Sequence, residues 1–412
     1  MPDSSTKLSA SILAYTLGLS IVISAIVSAI ILVGYYHRLE QKVYSINTQL
    51  VRNLLSAEQL ALGGVEDLQY FEPEMLDLYG LEEDSVSITK KPWGFLDLMT
   101  VASFYGRFQQ QSDFLVAHRA DSLMLASFFL MDDRRPLSVV GNTRLSGLLY
   151  LPQSGIQSAF IDRQGYQNDS LFYGTKRIST DTMPKVNNTF IKGWEEMDEY
   201  ISIRMDDPAS SSIRQSFLND TVMLLSGNKL NITDSLIGKV FVEGKEVTFD
   251  SGAFVQDIVV RAEVIRFKNG AQGSGQFLAS DSLLLQGGRL TYPTIAFLYN
   301  EKDVGVFRVE GSSQLEGVVG IAGDPSLYSQ RLLYIEDGVE VRGAVYCDGY
   351  LELYGTIAGH ATVRKTLVNT PNAVYENYLL NAEMTGLNEI MDMPVPAIWM
   401  FSNEKMITQW LR

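Results

Sequence analysis

The chain has 412 residues, with 33 Lys and Arg against 48 Asp and Glu, a formal net charge of −15, one cysteine and three histidines. That balance argues against a nucleic-acid partner, because Lys and Arg carry phosphate binding. A lone Cys347 excludes an internal disulfide and any cysteine-built zinc site. The length allows a large core and two or three domains.

Residues 8–36 read LSASILAYTLGLSIVISAIVSAIILVGYY, without a charge. As a helix this run reaches about 40 Å, enough to span a bilayer with some tilt and too long for the apolar core of a cleaved signal peptide. Small residues recur every fourth position, Ser20, Ser24 and Ser28 on one stripe and Ala10, Ala14 and Gly18 on another. Such stripes let helices pack closely in lipid, so other membrane helices are the expected partners. In the following HRLEQKVYSINTQLVRNLL, Leu39, Val43, Ile46, Leu50 and Leu54 share one helical face, and the helix is expected to end by Gly63 and Gly64.

A short positive head, an apolar helix running into an amphipathic one and a β-rich remainder resemble type IV pilins and pseudopilins. Lys7-Leu8-Ser9-Ala10-Ser11-Ile12-Leu13 is loosely similar to their processing region. The apolar run lacks the glutamate usual near the start of the mature family, as does the large minor pseudopilin that caps the filament. An ordinary single-pass anchor is the competing expectation.

No basic residue stands between Arg52 and Lys90, where Glu58, Glu66, Asp67, Glu72, Glu74, Asp77, Glu82, Glu83 and Asp84 gather. Without the ordered spacing and glycine of a calcium loop, this run reads as a solvated, self-repelling face. Orientation has two opposed signals. Lys7 before the anchor against Arg38, Lys42 and Arg52 after it points the large part inward. Seven Asp-Ser/Thr-aliphatic triplets, beginning at Asp84, Asp121, Asp169, Asp181, Asp220, Asp234 and Asp281, resemble acceptor sites of an O-glycosylation system that acts on exported bacterial proteins. Turn chemistry explains any one of them; together they favour the periplasm and a bacterial inner-membrane anchor.

The phrase VVGNTRLSGLL at 139–149 returns as VEGSSQLEGVV at 309–319. From Val240 onward, aliphatics alternate in twos and threes between Gly, Asn, Asp or Ser: Val240, Val242, Val247, Phe249, Ile258, Val260, Ala262, Val264, Phe267, Phe277, Ala279, Leu283 and Leu285. After an irregular stretch Val339, Val341, Val345, Leu351, Leu353, Ile357, Ala361 and Val363 resume the pattern. Strands of three to five residues, glycine corners and a recurring phrase imply stacked coils that bury their aliphatics against one another. The region resembles right-handed β-helices of the polymer-forming bactofilin type, closely over 335–363 and loosely over 240–292. A twisted β-sandwich is the alternative architecture.

The expected fold is therefore mainly β: an N-terminal transmembrane and amphipathic helix followed by a single-stranded β-helix-like stack with an insertion. Its parts are an anchor at 1–36, an amphipathic helix at 37–62, a β-rich lead-in at 63–135, first rungs at 136–175, an insertion or subdomain at 176–235, the main ladder at 236–365 and a C-terminal cap at 366–412. No catalytic, cofactor or metal residue is assigned. Asp132-Asp133-Arg134-Arg135 is the one tight acidic and basic cluster and reads as an exposed turn; His360 reads as an outward-facing rung residue. Gly270-Ala271-Gln272-Gly273-Ser274-Gly275 lacks the helix and lysine of a phosphate loop. The expected role is a non-enzymatic structural or interaction component of a bacterial envelope assembly, a minor pilin-like subunit in its narrowest form. The alternatives are a membrane-tethered carbohydrate-active or carbohydrate-binding β-helix protein, with a glycan as partner, and a cytosolic, membrane-attached bactofilin-like polymer.

Overall fold

The computed structural model describes residues 7–63, 68–80, 84–187, 194, 197, 201–206, 212–301, 304–387, 393–399 and 401–411, with backbone only at 7–11 and 201–206. Two compact units emerge. The first joins Met1–Gln59 to Glu74–Ile88 and Val101–Gln111; the second comprises Leu60–Pro73, Thr89–Thr100 and Ser112–Arg412.

In the first unit one unbroken helix, Lys7–Leu62, carries both the apolar and the amphipathic runs. Its apolar part is long and hydrophobic enough to cross a membrane, and that window is wholly exposed. Farther along, Ile46, Leu50, Asn53 and Ala57 are buried on one face. The expected stripe is thus correct at its centre but shifted: Leu39 is exposed, and the face continues through Asn53 rather than Leu54. Asp84 anchors it, accepting hydrogen bonds from Gln49 Nε2 at 2.7 Å and Asn53 Nδ2 at 2.5 Å. The acidic run is therefore not uniformly solvated. Asp84 and Glu58 are buried, Glu72, Glu74 and Asp77 are exposed, and Glu66, Asp67, Glu82 and Glu83 lie outside the described residues.

The second unit is a stack of coils. Its strands pair in parallel across long sequence gaps, Val242 with Val260, Val260 with Phe277, Val319 with Val345 and Val345 with Ala361. Each pairing joins a strand to the next coil, which excludes a β-sandwich. Nearly every aliphatic expected to face inward does so. Val240, Val242, Val247, Phe249, Ile258, Val260, Phe267, Phe277, Leu283, Leu285, Val341, Val345, Leu351, Ile357 and Val363 form one continuous core. The exception is Val264, which is half-buried while Ile265 takes the inward place. Strands are longer than expected, up to the 15 residues of Gln272–Gln286, because they bend through corners without losing pairing; a register shift marks the bend. Phe249 and Phe267 stack across neighbouring coils with ring centroids 4.5 Å apart, and Phe277 of the next coil meets Phe267 edge to face at 4.9 Å.

The repeated phrase occupies equivalent corners. Its first glycine, Gly141 or Gly311, has φ of 65° or 68°, and its second, Gly147 or Gly317, has φ of 101° or 141°. A Cβ on Gly317 would lie 2.0 Å from the carbonyl oxygen of Thr294 in the adjoining coil, so only glycine lets the coils approach here. Two positions that looked arbitrary also match. Thr143 and Ser313 are buried, and each hydroxyl donates to the carbonyl three residues back, Val140 or Glu310.

The order of the coils departs from the order of the chain. Along one face the pairings run Tyr173–Ile178, Arg144–Leu151, Ala126–Leu130, Thr356–Asn369, Glu340–Leu353, Gln314–Gly323, Arg289–Asn300, Gln272–Gln286, Phe254–Phe267, Val240–Phe249, Thr221–Ile232 and Ile201–Asp206. The chain enters beside its own last coil, winds outward to Ile178, and restarts at the opposite end of the stack. The stretch expected as an insertion supplies that return: Thr180 O accepts from Asp132 N, Pro184 O from Tyr346 Oη and Trp194 O from Arg261 Nη1.

Three expected boundaries shift accordingly. Coil strands begin at Ala126 rather than 136, and the ladder already includes Ile213–Gln215 and Thr221–Ile232. The segment expected as a terminal cap is instead part of the stack and of its outer cover. Glu383–Thr385 lies between Thr356–Asn369 and Arg144–Leu151, and Phe401–Leu411 pairs antiparallel with Phe108–Ala120. Trp93, Phe95, Trp194, Ile398 and Trp399 cover outward-pointing Phe241, Phe297 and Tyr346. Gln276 clasps this layer, accepting from Phe95 N at 2.6 Å and donating to Trp93 O at 2.8 Å.

Candidate functional site

One coil is built from two distant pieces of chain, and polar side chains concentrate there. Glu383–Thr385 supplies one edge; Ala126–Leu130 and Leu137–Val140 supply the others, with Tyr378–Leu380 paired to the latter. His360 is fully buried at this seam. Its Nδ1 donates to Ala126 O at 2.6 Å, which fixes the tautomer and leaves Nε2 to accept from Thr362 Oγ1 at 2.6 Å. Burial lowers its pKa to about 4, so the ring is neutral near pH 7. It does point away from the coil interior, as expected, but the covering elements remove it from water.

The Asp132 to Arg135 cluster is a bend with both arginines exposed, as expected, and it is also tied into the same seam. Asp133 accepts from Asn377 Nδ2 at 2.7 Å and lies 3.3 Å from Arg135 and 3.7 Å from Lys365. Arg135 reaches Glu376 at 3.2 Å, and Tyr350 Oη donates to the other oxygen of that carboxylate at 2.6 Å. The Tyr350 hydrogen bond, followed by Lys365 and Arg135, holds Glu376 below the usual carboxylate range. Asn381 Oδ1 accepts from Asn142 N at 2.9 Å and Gln164 Nε2 at 3.0 Å, which stitches the corner.

A second concentration of charge lies one to three coils away. Arg331 is fully buried between Asp348, whose Oδ2 is 3.0 Å from Nη2, and the carbonyls of Asp348 and Asp324 at 2.8 and 2.9 Å. Burial pulls its pKa down, and the Asp348 carboxylate opposes that shift. The other oxygen of Asp348 accepts from Arg364 Nε, and the Arg364 guanidinium lies 5.0 Å from the Tyr328 ring centre. Two guanidiniums thus share one carboxylate beside a cleft of about 390 Å³ lined by Arg364, Asp348, Tyr299, Tyr346 and the return segment at 181–186. None of these residues was singled out from sequence. The available signal was spacing, since Arg331, Asp348 and Arg364 follow one another at 17 and 16 residues, one coil each. The pairs Lys229 with Glu246 and Arg261 with Glu243 repeat that logic.

The remaining candidates do not converge on these sites. Gly273 and Gly275 sit within strand Gln272–Gln286, not at a phosphate loop, and a Cβ on Gly273 would meet Val255 O at 1.7 Å. Cys347 points into the core, where burial raises its thiol pKa, so it is poorly nucleophilic. Among the described residues no group of three or more His, Cys, Asp or Glu side chains is placed to hold a metal ion. Of the Asp-Ser/Thr triplets, Asp121 accepts from Leu123 N and Asp234 from Ser235 N, both turn bonds, while Thr221 is buried. Ser20 Oγ donates to Leu17 O within the helix, Ser24, Ser28, Ala14 and Gly18 are exposed, and the side chain of Ala10 lies outside the described residues. No family model, curated protein or solved structure matches the chain.

Proposed function

We propose that this chain is a membrane-anchored, non-enzymatic structural or interaction component of a bacterial cell-envelope assembly, with its large part in the periplasm. The observation that carries the reading is the single helix Lys7–Leu62. Its exposed apolar half continues without a break into a half that buries Ile46, Leu50 and Ala57. Such a helix can insert in lipid at one end while its other end packs against folded chain, which suits assembly better than turnover. The narrower reading is a pilin-like subunit in which the Ser20, Ser24 and Ser28 stripe meets neighbouring helices.

Protease treatment of spheroplasts carrying the full chain tests the orientation: digestion of the β-rich part is expected, and protection overturns the periplasmic assignment. Mass spectrometry of the amino terminus tests the pilin-like form, which requires cleavage near Lys7 and fails if that region is intact on the mature chain.

A further inference from the structure

We propose that the cleft beside Arg364 binds a small organic anion, one carboxylate or phosphate head joined to a flat apolar body. The chain spends considerable desolvation to hold two guanidiniums around one carboxylate, since Arg331 and Asp348 are both buried. Asp348 divides its two oxygens between Arg331 and Arg364, while the exposed Asp324 carboxylate also acts on Arg331, so Arg364 has only a shared counter-ion. Arg364 lines the cleft. Arg364 is 15% exposed; beyond Asp348 and the Tyr328 ring its guanidinium has only the Met131 sulfur, 3.9 Å from Nη1, and its Nη2 has no hydrogen-bond partner among the described residues.

Tyr328 on one side and Asp348 on the other hold the guanidinium plane in position, so its free edge is oriented before a ligand arrives. Guanidinium donors in a planar fork match carboxylate or phosphate oxygens. The other walls are apolar or aromatic, from Met183, Pro325, Tyr299 and Tyr346. Lys185 and Asp181 line the same cleft and cancel one another in charge. A volume of about 390 Å³ accommodates a single aromatic ring with its charged substituent. This inference is independent of the envelope role proposed above.

Phenyl phosphate, phenol and inorganic phosphate, titrated calorimetrically into the detergent-solubilised full chain at pH 7.5, test it. Phenyl phosphate is expected to saturate in about the millimolar range, as suits so small a probe. Inorganic phosphate and phenol should each bind about tenfold more weakly. Arg364→Gln should weaken phenyl phosphate about tenfold or more. Since that change also disturbs Asp348, Met183→Trp serves as a second variant: it fills the cleft, leaves the charge cluster intact and should abolish binding with an unchanged melting curve. Absence of saturation, equal binding of inorganic phosphate, or undiminished binding in a folded Arg364→Gln or Met183→Trp protein overturns the proposal.

Discussion

From Phe254 to Val363 each coil is one uninterrupted stretch of chain, whereas the coil above is assembled from Glu383–Thr385 on one side and Ala126–Leu130 with Leu137–Val140 on the other. The two kinds share their interior, aliphatic side chains meeting those of the coils above and below. They differ at the edges. In the regular coils glycine and tight carbonyl packing suffice, because covalent continuity already brings successive strands together. At the seam that continuity is missing, and closing so long a loop costs entropy that local contacts must offset. His360, Asp133, Arg135, Asn377 and Asn381 gather there. Hydrogen bonding thus specifies a register at the seam that connectivity specifies elsewhere.

The comparison can be broken at either kind of coil. The largest effect is expected in the regular ladder. Gly343 has φ of 133°, and an added Cβ would lie 2.1 Å from Gly317 O, so Gly343→Ala should cost more than about 4 kcal/mol in denaturant unfolding. Gly338, with φ of 76° and open space around it, should lose only about 1 kcal/mol on the same change, from backbone conformation alone. Similar losses at both glycines would refute close coil approach as the cause.

Next comes the pH dependence of the seam. His360 titrates near 4 when folded against 6.5 when exposed, so the unfolded chain binds the extra proton between those values. Stability is full above about pH 6.5 and falls as pH drops toward 4, by on the order of 3 kcal/mol. Desolvation drives this shift, and the hydrogen bond to the Ala126 carbonyl opposes it. Melting curves of the parent and of His360→Gln should differ in slope across that window; identical slopes would exclude His360 as the source.

Smaller effects follow at the polar locks. Asp133→Ala leaves Asn377 Nδ2 and Lys365 without their shared carboxylate and should cost about 1–3 kcal/mol. Arg135→Ala removes an ion pair whose arginine side chain is 55% exposed, and solvent screening should hold the loss below about 1 kcal/mol. If the second change proves the more damaging, burial does not rank these contacts.

The sequence shows one link of this architecture and hides the next. Period-two alternation revealed which side chains enter the core, and only Val264 proved misplaced, because a corner shifts the phase by one residue. The phrase shared by 139–149 and 309–319 revealed equivalent corners. Neither signal encodes which coil lies above which, since every rung offers the same hydrogen-bonding edge to any other. A linear reading therefore took the return path for an insertion and a seam strand for part of a cap. The direction of His360 was legible from alternation, but its burial depends on a segment remote in the chain, the strand Ala126–Leu130 whose first carbonyl meets the ring. The cleft was readable only as opposite charges one coil apart at Arg331, Asp348 and Arg364, a spacing that acquires meaning once the coil length is known.

Paired cysteines at neighbouring strands test the coil order most directly. Glu383 and Arg144 are register partners in adjacent parallel strands, about 4.8 Å apart, within reach of a disulfide. In a Cys347→Ala background, Glu383→Cys with Arg144→Cys should cross-link within one chain on mild oxidation, while Tyr173→Cys with Arg214→Cys, at opposite ends of the stack, should not. Cross-linking of the second pair and not the first would mean that the coils follow chain order, and the seam does not exist.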